Sequence, residues 1–247
     1  MKYTRTNFNE NYFEKIDTEE KAYFLGFIIA DGYLLRDTPT TIKKAQDRLV
    51  IRIQEKDRNI LDILNDRITP YKQLTKWKYK NPNWSEQVIF KVNSNKLCSD
   101  LEKHGVFVGK KSGKEKLPNI DKKLIPHFIR GYFDGDGCCY NKTINKSCKH
   151  GGKIKNKVIF VCLNKEYLKK LKEELNNIGI IKEKSKNGNR QNVFEYIIEN
   201  KPETNFFFNY IYNNATIFLK RKYDKFLYGN PELTNILTNI SSVETRD

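Results

Sequence analysis

Residues 24–33 read FLGFIIADGY and residues 128–137 read FIRGYFDGDG. Each is an apolar run interrupted by small residues and closed by Asp-Gly, a dipeptide that suits helix ends and turns. One copy alone would be an ordinary buried helix with a C-terminal turn; two copies in one chain make a pattern. Gly26 and Ala30 lie four residues apart in the first copy, as Gly131 and Gly135 do in the second. Positions i and i+4 share a helix face, so each helix offers a flat strip on which the other backbone can lie closely. Leu25, Ile28 and Ile29 of one copy, and Ile129 and Phe133 of the other, are left to pack into the cores.

The sequence around each copy repeats a second pattern. Upstream of the first, Asp17 or Thr18 can cap a helix whose first turn holds Glu19 and Glu20, which predicts a helix running to about Ala30 and stopping at Gly32. In RLVIRIQ (48–54), Leu49, Ile51 and Ile53 alternate with Arg48, Arg52 and Gln54, the signature of a strand with one buried and one wet face. Asp57 then precedes an amphipathic stripe of Ile60, Leu61, Ile63 and Leu64, followed by extended KQLTKWKYK (72–80) and SEQVIFKV (85–92) and a helix from Asn95 to His104 ended by Gly105. After the second copy come extended GGKIKNKVIFVC (151–162), a helix behind Asn164, strands near IIKEKSK (180–186) and NVFEYIIE (192–199), and a helical tail from about Thr204.

The order matches, and so does the spacing: Asp136 follows Asp31, and Val193 follows Val88, by the same 105 residues. We read an internal duplication. The predicted fold is α+β, two pseudo-symmetric αββαββα halves at residues 1–108 and 122–247, joined by a basic connector at 109–121, GKKSGKEKLPNID.

Forty-six Lys and Arg against 30 Asp and Glu leave a formal charge of +16, which favours a polyanion as partner. The five cysteines are an odd number with two adjacent, so a secreted disulfide framework is not expected. Cys138, Cys139, Cys148 and His150 lack the paired spacing of a zinc site. No apolar run approaches the roughly 20 residues needed to span a bilayer, so the expectation is a soluble, intracellular chain without a membrane partner. His104, His127 and His150 are scattered and form no histidine-based nuclease cluster.

Asp31 and Asp136 fall in the last turn of their helices, where the peptide dipole is negative and a carboxylate is electrostatically misplaced. If the two helices abut, the carboxylates converge, and their repulsion calls for a shared proton or a bound cation. Mg²⁺, or another divalent cation such as Mn²⁺, suits the pair because it takes hard oxygen ligands and shares them with phosphate. The carbonyls of Ala30 and Gly135 are candidates to complete the ligand set.

These residues resemble the two signature motifs of the LAGLIDADG homing endonucleases in their single-chain, two-motif form. The resemblance implies a monomer whose motif helices, with Gly26, Ala30, Gly131 and Gly135, form the interface between halves. It also implies that Asp31 and Asp136 bind the metal and that four-stranded sheets make a saddle over double-stranded DNA. Cleavage of both strands of a long target, leaving 3′ overhangs, and a mobile intron or intein as origin come with it. Two departures stand out: Ile29 replaces an earlier motif Asp that Asp134 retains in the second copy, and Arg130 occupies a position where a small residue is usual. The family adds a Gln or Lys near the metal; Gln54, Lys56 and Lys91 are the candidates here, with no clear counterpart in the second half.

Strands in a major groove read bases with Arg, Lys, Asn and Gln. The candidates are Arg36, Arg48, Arg52, Gln54, Lys76, Lys78 and Lys80 in the first half. In the second they are Lys142, Lys146, Lys153, Lys155, Lys157, Lys182, Lys184, Lys186, Arg190 and Gln191, with most of the lysines on phosphates. Two rivals stay open: a maturase of the same fold that binds its own intron RNA, and a non-catalytic DNA-binding regulator. The two acidic residues favour catalysis. An abundance of Asn and Lys suggests an AT-rich genome, hence the cytoplasm of a bacterium or phage-infected cell, or an organelle matrix.

Overall fold

The computed structural model describes residues 8–36, 45–81, 83–109, 113–144, 153–184 and 193–229. The chain forms two compact units, Met1–Asp136 with Ala215–Phe218, and Gly137–Asn214 with Leu219–Asp247. Both are α+β and each is built on one antiparallel sheet.

In the first unit, helix α1 (Glu19–Asp31) starts where Thr18 accepts a hydrogen bond from the Lys21 amide, and Glu19 and Glu20 sit at its positive end. It ends at Gly32, whose amide bonds back to the Ile28 carbonyl. Strands β1 (Gly32–Leu35), β2 (Arg48–Gln54), β3 (Thr75–Trp77) and β4 (Gln87–Asn93) form a sheet of order β1-β2-β4-β3. Leu34, Leu49, Ile51, Ile53, Val88, Phe90 and Val92 are buried on one face, against helices α2 (Arg58–Ile68) and α3 (Asn95–Lys103). The expected alternation of β2 holds with one exception, since Val50 is buried among the wet-face positions. The stretch 72–80 is strand only over Thr75–Trp77. Helix α4 (Ile125–Asp136), the second motif, packs along α1 within this unit.

The second unit repeats the plan with β5 (Cys138–Ile144), β6 (Lys153–Cys162), β7 (Ile180–Lys184) and β8 (Val193–Ile198) in the order β5-β6-β8-β7. Helix α5 (Lys165–Glu174) is capped by Asn164, as the sequence predicts. Helix α6 (Lys201–Tyr212) begins three residues before the expected Thr204, because Asn200 accepts from the Glu203 amide and Pro202 suits a first turn. Helix α7 (Lys220–Gly229) lies on β5 and β6, where Phe226 joins Phe207 and Phe208 in an aromatic core with Phe160 and Tyr196. The side-chain amides of Asn141 and Asn156 donate to the carbonyls of Lys225 and Phe226, which lie in the C-terminal half of α7. No helix among the described residues is long and apolar enough to cross a membrane.

Candidate active site

The small residues of the two motifs meet each other. A Cβ placed on Gly26 would lie 2.0 Å from the Phe128 carbonyl oxygen, and one on Gly131 would lie 1.9 Å from that of Tyr23. Real Cβ atoms never come so close, so only glycine permits this approach of one backbone to the other. Further along, a Cβ on Gly135 would meet the Ala30 methyl at 2.3 Å and Asp31 Oδ2 at 3.3 Å. The contacts advance in step, from Tyr23 with Gly131, through Gly26 with Phe128 and Tyr132, to Ala30 with Gly135. The helices therefore run parallel and end together.

This crossing places the Asp31 carboxylate against Gly135, the residue before Asp136. Two negative helix ends, each carrying an acidic residue, are thus gathered at one point of the first unit. Asp136 is exposed and Asp31 partly so, which leaves the place open to solvent and ligand. Ala30 and Gly135 stand next to last in the two helices, where backbone carbonyls have no partner further along the helix. The donors are all hard oxygens, and among the described residues no group of three or more His, Cys, Asp or Glu forms a closed metal cage. Such a donor set fits a divalent cation of the Mg²⁺ type, which retains waters and shares its ligands with phosphate.

Asp134, the other acidic residue of the second motif, has a different place. It is 1 % exposed, and its Oδ2 accepts the Tyr23 hydroxyl proton at 2.9 Å, joining the two helices. One repeat away the same two positions carry Phe128 and Ile29, so a donor and its acceptor have both been replaced by apolar groups. Arg130 is fully buried yet satisfied: Nε donates to the Ile217 carbonyl at 2.8 Å, one Nη lies 2.9 Å from His127 Nδ1, and the other donates to Glu19 Oε1 at 2.6 Å. Its guanidinium also lies over the Tyr23 ring, and Glu19 Oε1 takes a second bond from the Thr216 amide. Arg130, at a position where a small residue is usual, thus fastens the segment around Ile217 to α1 and α4.

Among the auxiliary candidates, Lys91 stands in the cross-strand row Tyr33–Val50–Lys91, next to the row that starts with Gly32. Gln54 lies three residues past Ile51, the partner of Gly32, and Lys56 lies in the turn beyond it; all three side chains are exposed. In the second sheet the row matching that of Lys91 is Cys138–Ile159–Ile197, which supplies no cation. There Lys222 of α7, 6 % exposed, donates to the carbonyl of Gly137 at 2.6 Å, immediately after Asp136 in the chain. Sequence reasoning missed Lys222, since nothing in KRKYDKF distinguishes it from a solvated basic run.

The basic candidates divide. Arg48, Arg52 and Gln54 share the wet face of β2, with Arg52 over the Trp77 ring at 5.9 Å. Lys76 faces the opposite side, because it pairs with Val88, and its ammonium lies 3.0 Å from Glu55. Lys78 pairs with Glu86, Lys80 is exposed, and Arg36 is held by Asp47 and Glu102. Lys157, Lys182 and Lys184 lie on the wet face of the second sheet, Lys157 bound to Glu199 and Lys184 to Glu195. Lys146, Lys186, Arg190 and Gln191, with Cys148 and His150, fall outside the described residues, as do the side chains of Lys142, Lys153 and Lys155.

Residues 124–212 match the model of the LAGLIDADG-like domain family. No curated protein matches the chain by sequence. Among solved structures, the I-LtrWI LAGLIDADG homing endonuclease bound to target DNA is similar over 97 % of this chain and 98 % of its own, at 14 % identity and a TM-score of 0.62. The LAGLIDADG meganuclease I-AabMI bound to uncleaved DNA is similar over 86 % and 91 %, at 15 % identity and 0.58. I-SmaMI bound to cleaved DNA is similar over 89 % and 90 %, at 16 % identity and 0.57; bound to an uncleaved target with calcium ions it gives 76 % and 84 %, 14 % and 0.54. Residues 124–212 thus match a LAGLIDADG-like domain, and the chain takes, over nearly its whole length, the α+β fold of the LAGLIDADG homing endonucleases.

Proposed function

We propose that the chain is a divalent-metal-dependent endonuclease that recognises a long double-stranded DNA site and cuts both strands, leaving 3′ overhangs. The observation that carries this reading is the glycine-lined crossing of α1 and α4, which sets the Asp31 carboxylate beside Gly135 and so beside the start of Asp136. A protein that only binds DNA gains nothing from gathering two carboxylates at two negative helix ends. The I-SmaMI structures, one with cleaved DNA and one with calcium ions, support the same chemistry by likeness of fold.

Asp31 and Asp136 would hold the cation, with the Ala30 and Gly135 carbonyls as further oxygen ligands. When bound, a divalent ion polarises a phosphodiester, lowers the pKa of its water and stabilises the leaving oxygen. The Lys91 ammonium adds positive charge beside the phosphate in the first half, and Gln54 or Lys56 can orient water. Lys222 fixes the peptide carbonyl of Gly137 and thereby the backbone from which Asp136 projects. Both motifs lie in one chain, so the protein works as a monomer, as a homing enzyme of a mobile intron or intein.

A supercoiled plasmid library with random inserts, incubated with Mg²⁺, tests this. The wild type linearises a subset of plasmids, chelation abolishes the product, and Asp31→Asn or Asp136→Asn each lowers the rate by about 100-fold or more while DNA binding persists. Linear product at the wild-type rate from either variant would refute the assignment. Binding to an intron transcript with no cutting of any insert would replace it with the maturase reading.

A further inference from the structure

The outer face of the second sheet carries a band of apolar side chains. Cys138 stands opposite Ile159, Ile159 opposite Ile197, and Ile197 opposite Ile180, one row across all four strands. Cross-strand partners project to the same face. Phe160, Val158, Tyr196 and Ile198 take the other face and are buried with the aromatic core. Two residues along β6 from Ile159, Val161 adds to the band. Val161 is 46 % exposed and Ile180 43 %, with Ile197 sunk between its neighbours at 4 %.

Lysines frame this band on the same face: Lys157 two residues before Ile159, and Lys182 and Lys184 two and four residues after Ile180. Two carboxylates among the described residues border that face, Glu195 held by Lys184 at 2.8 Å and Glu199 held by Lys157 at 3.2 Å, and Lys182 stands opposite Glu195. An apolar strip bordered by ammonium groups fits a surface that is polyanionic at its edges and apolar within. The DNA major groove is such a surface at one kind of base pair, where thymine exposes its C5 methyl between rows of phosphates.

We propose that this face reads thymine methyl groups, with Val161 and Ile180 as specificity-determining residues, so that the half of the target under the second sheet is rich in T·A pairs. The inference rests on the endonuclease reading and narrows it. The first sheet differs in the matching row, Tyr33–Val50–Lys91: Leu35, Ile89 and Trp77 share its wet face, but Arg48, Arg52, Gln54, Gln87 and Asn93 stand among them, donors and acceptors suited to guanine and adenine edges.

The test starts from inserts recovered in the plasmid selection and replaces each thymine by deoxyuridine, which removes the methyl and leaves the pairing edge intact. Affinity is expected to fall about 3- to 4-fold per methyl at several positions of one half-site, with a smaller effect in the other half. Val161→Ser and Ile180→Ser, both at exposed positions that leave the core alone, are expected to abolish the thymine–deoxyuridine difference at one position each. A target that binds equally well with deoxyuridine throughout both halves would overturn the inference while leaving the nuclease intact. So would a discrimination that neither serine variant changes, or a dimer of the free protein that dissociates on Val161→Ser, which would assign the band to self-association. Failure to bind any insert would instead overturn the DNA reading, and this inference with it.

Discussion

Helices α1 and α4 touch along Gly26, Ala30, Gly131 and Gly135, but different side chains fasten the two sides of that crossing. On one side Tyr23 donates to the buried Asp134; the same positions one repeat away hold Phe128 and Ile29. Where α1 has the apolar Leu25, α4 has Arg130, which reaches Glu19, His127 and the Ile217 carbonyl. Backbone proximity is thus duplicated while the polar fastenings are not. A buried carboxylate is tolerable only with its donor, so Asp and Tyr are kept or lost together. Ile29 therefore reflects packing against the facing helix.

The largest effect is expected where the comparison shows identity. Gly26→Ala and Gly131→Ala each push a methyl into a carbonyl of the facing helix, and each should cost about 3 kcal/mol, lowering the melting temperature by roughly 6–12 °C. Unchanged thermal unfolding for either would show that the helices do not lie so close. A smaller loss, about 2 kcal/mol, is expected where the halves differ, from Tyr23→Phe, which removes a hydrogen-bond donor from the buried Asp134 carboxylate. Adding Asp134→Ile copies the Phe128 and Ile29 solution and should recover most of that loss in denaturant unfolding; a double variant weaker than the single one would show that the two sides are not equivalent.

The smallest effect concerns His127. Burial, then the neighbouring Arg130 guanidinium, hold its pKa below the ordinary imidazole value, against the pull of Glu19. The unfolded chain then binds the proton more readily, so stability is full above the unfolded pKa and declines as pH falls through it toward the folded one. Unfolding followed between pH 7.5 and 5.5 should show this decline, and His127→Gln should flatten it. An equal decline in that variant would place the titration elsewhere.

The helix ends, strand periods and repeat were legible because each is set by local chemistry: Thr18 and Asn164 as caps, Gly105 at a positive φ, alternation in β2. The close approach of the motif helices could be read from the i, i+4 spacing of small residues alone. What could not be read depends on partners distant in sequence. Lys76 is a candidate alongside Arg52 by charge alone, and strand register is what turns it to the other face, toward Glu55. The ion pairs of Arg36 with Asp47 and Glu102 likewise join residues far apart in the chain. Lys222 and the apolar row of Ile159, Ile197 and Ile180 emerge only when strands from across the chain are laid side by side.

The central claim is that one carboxylate from each motif helix serves a common cation site at the shared helix end. Titration of Mn²⁺ into the protein bound to uncleaved target, followed by electron paramagnetic resonance, tests it most directly. Wild type should take up the ion, and Asp31→Asn and Asp136→Asn should each weaken uptake by about tenfold or more, since one charged oxygen ligand is lost in either case. Undiminished uptake in either variant would contradict the claim.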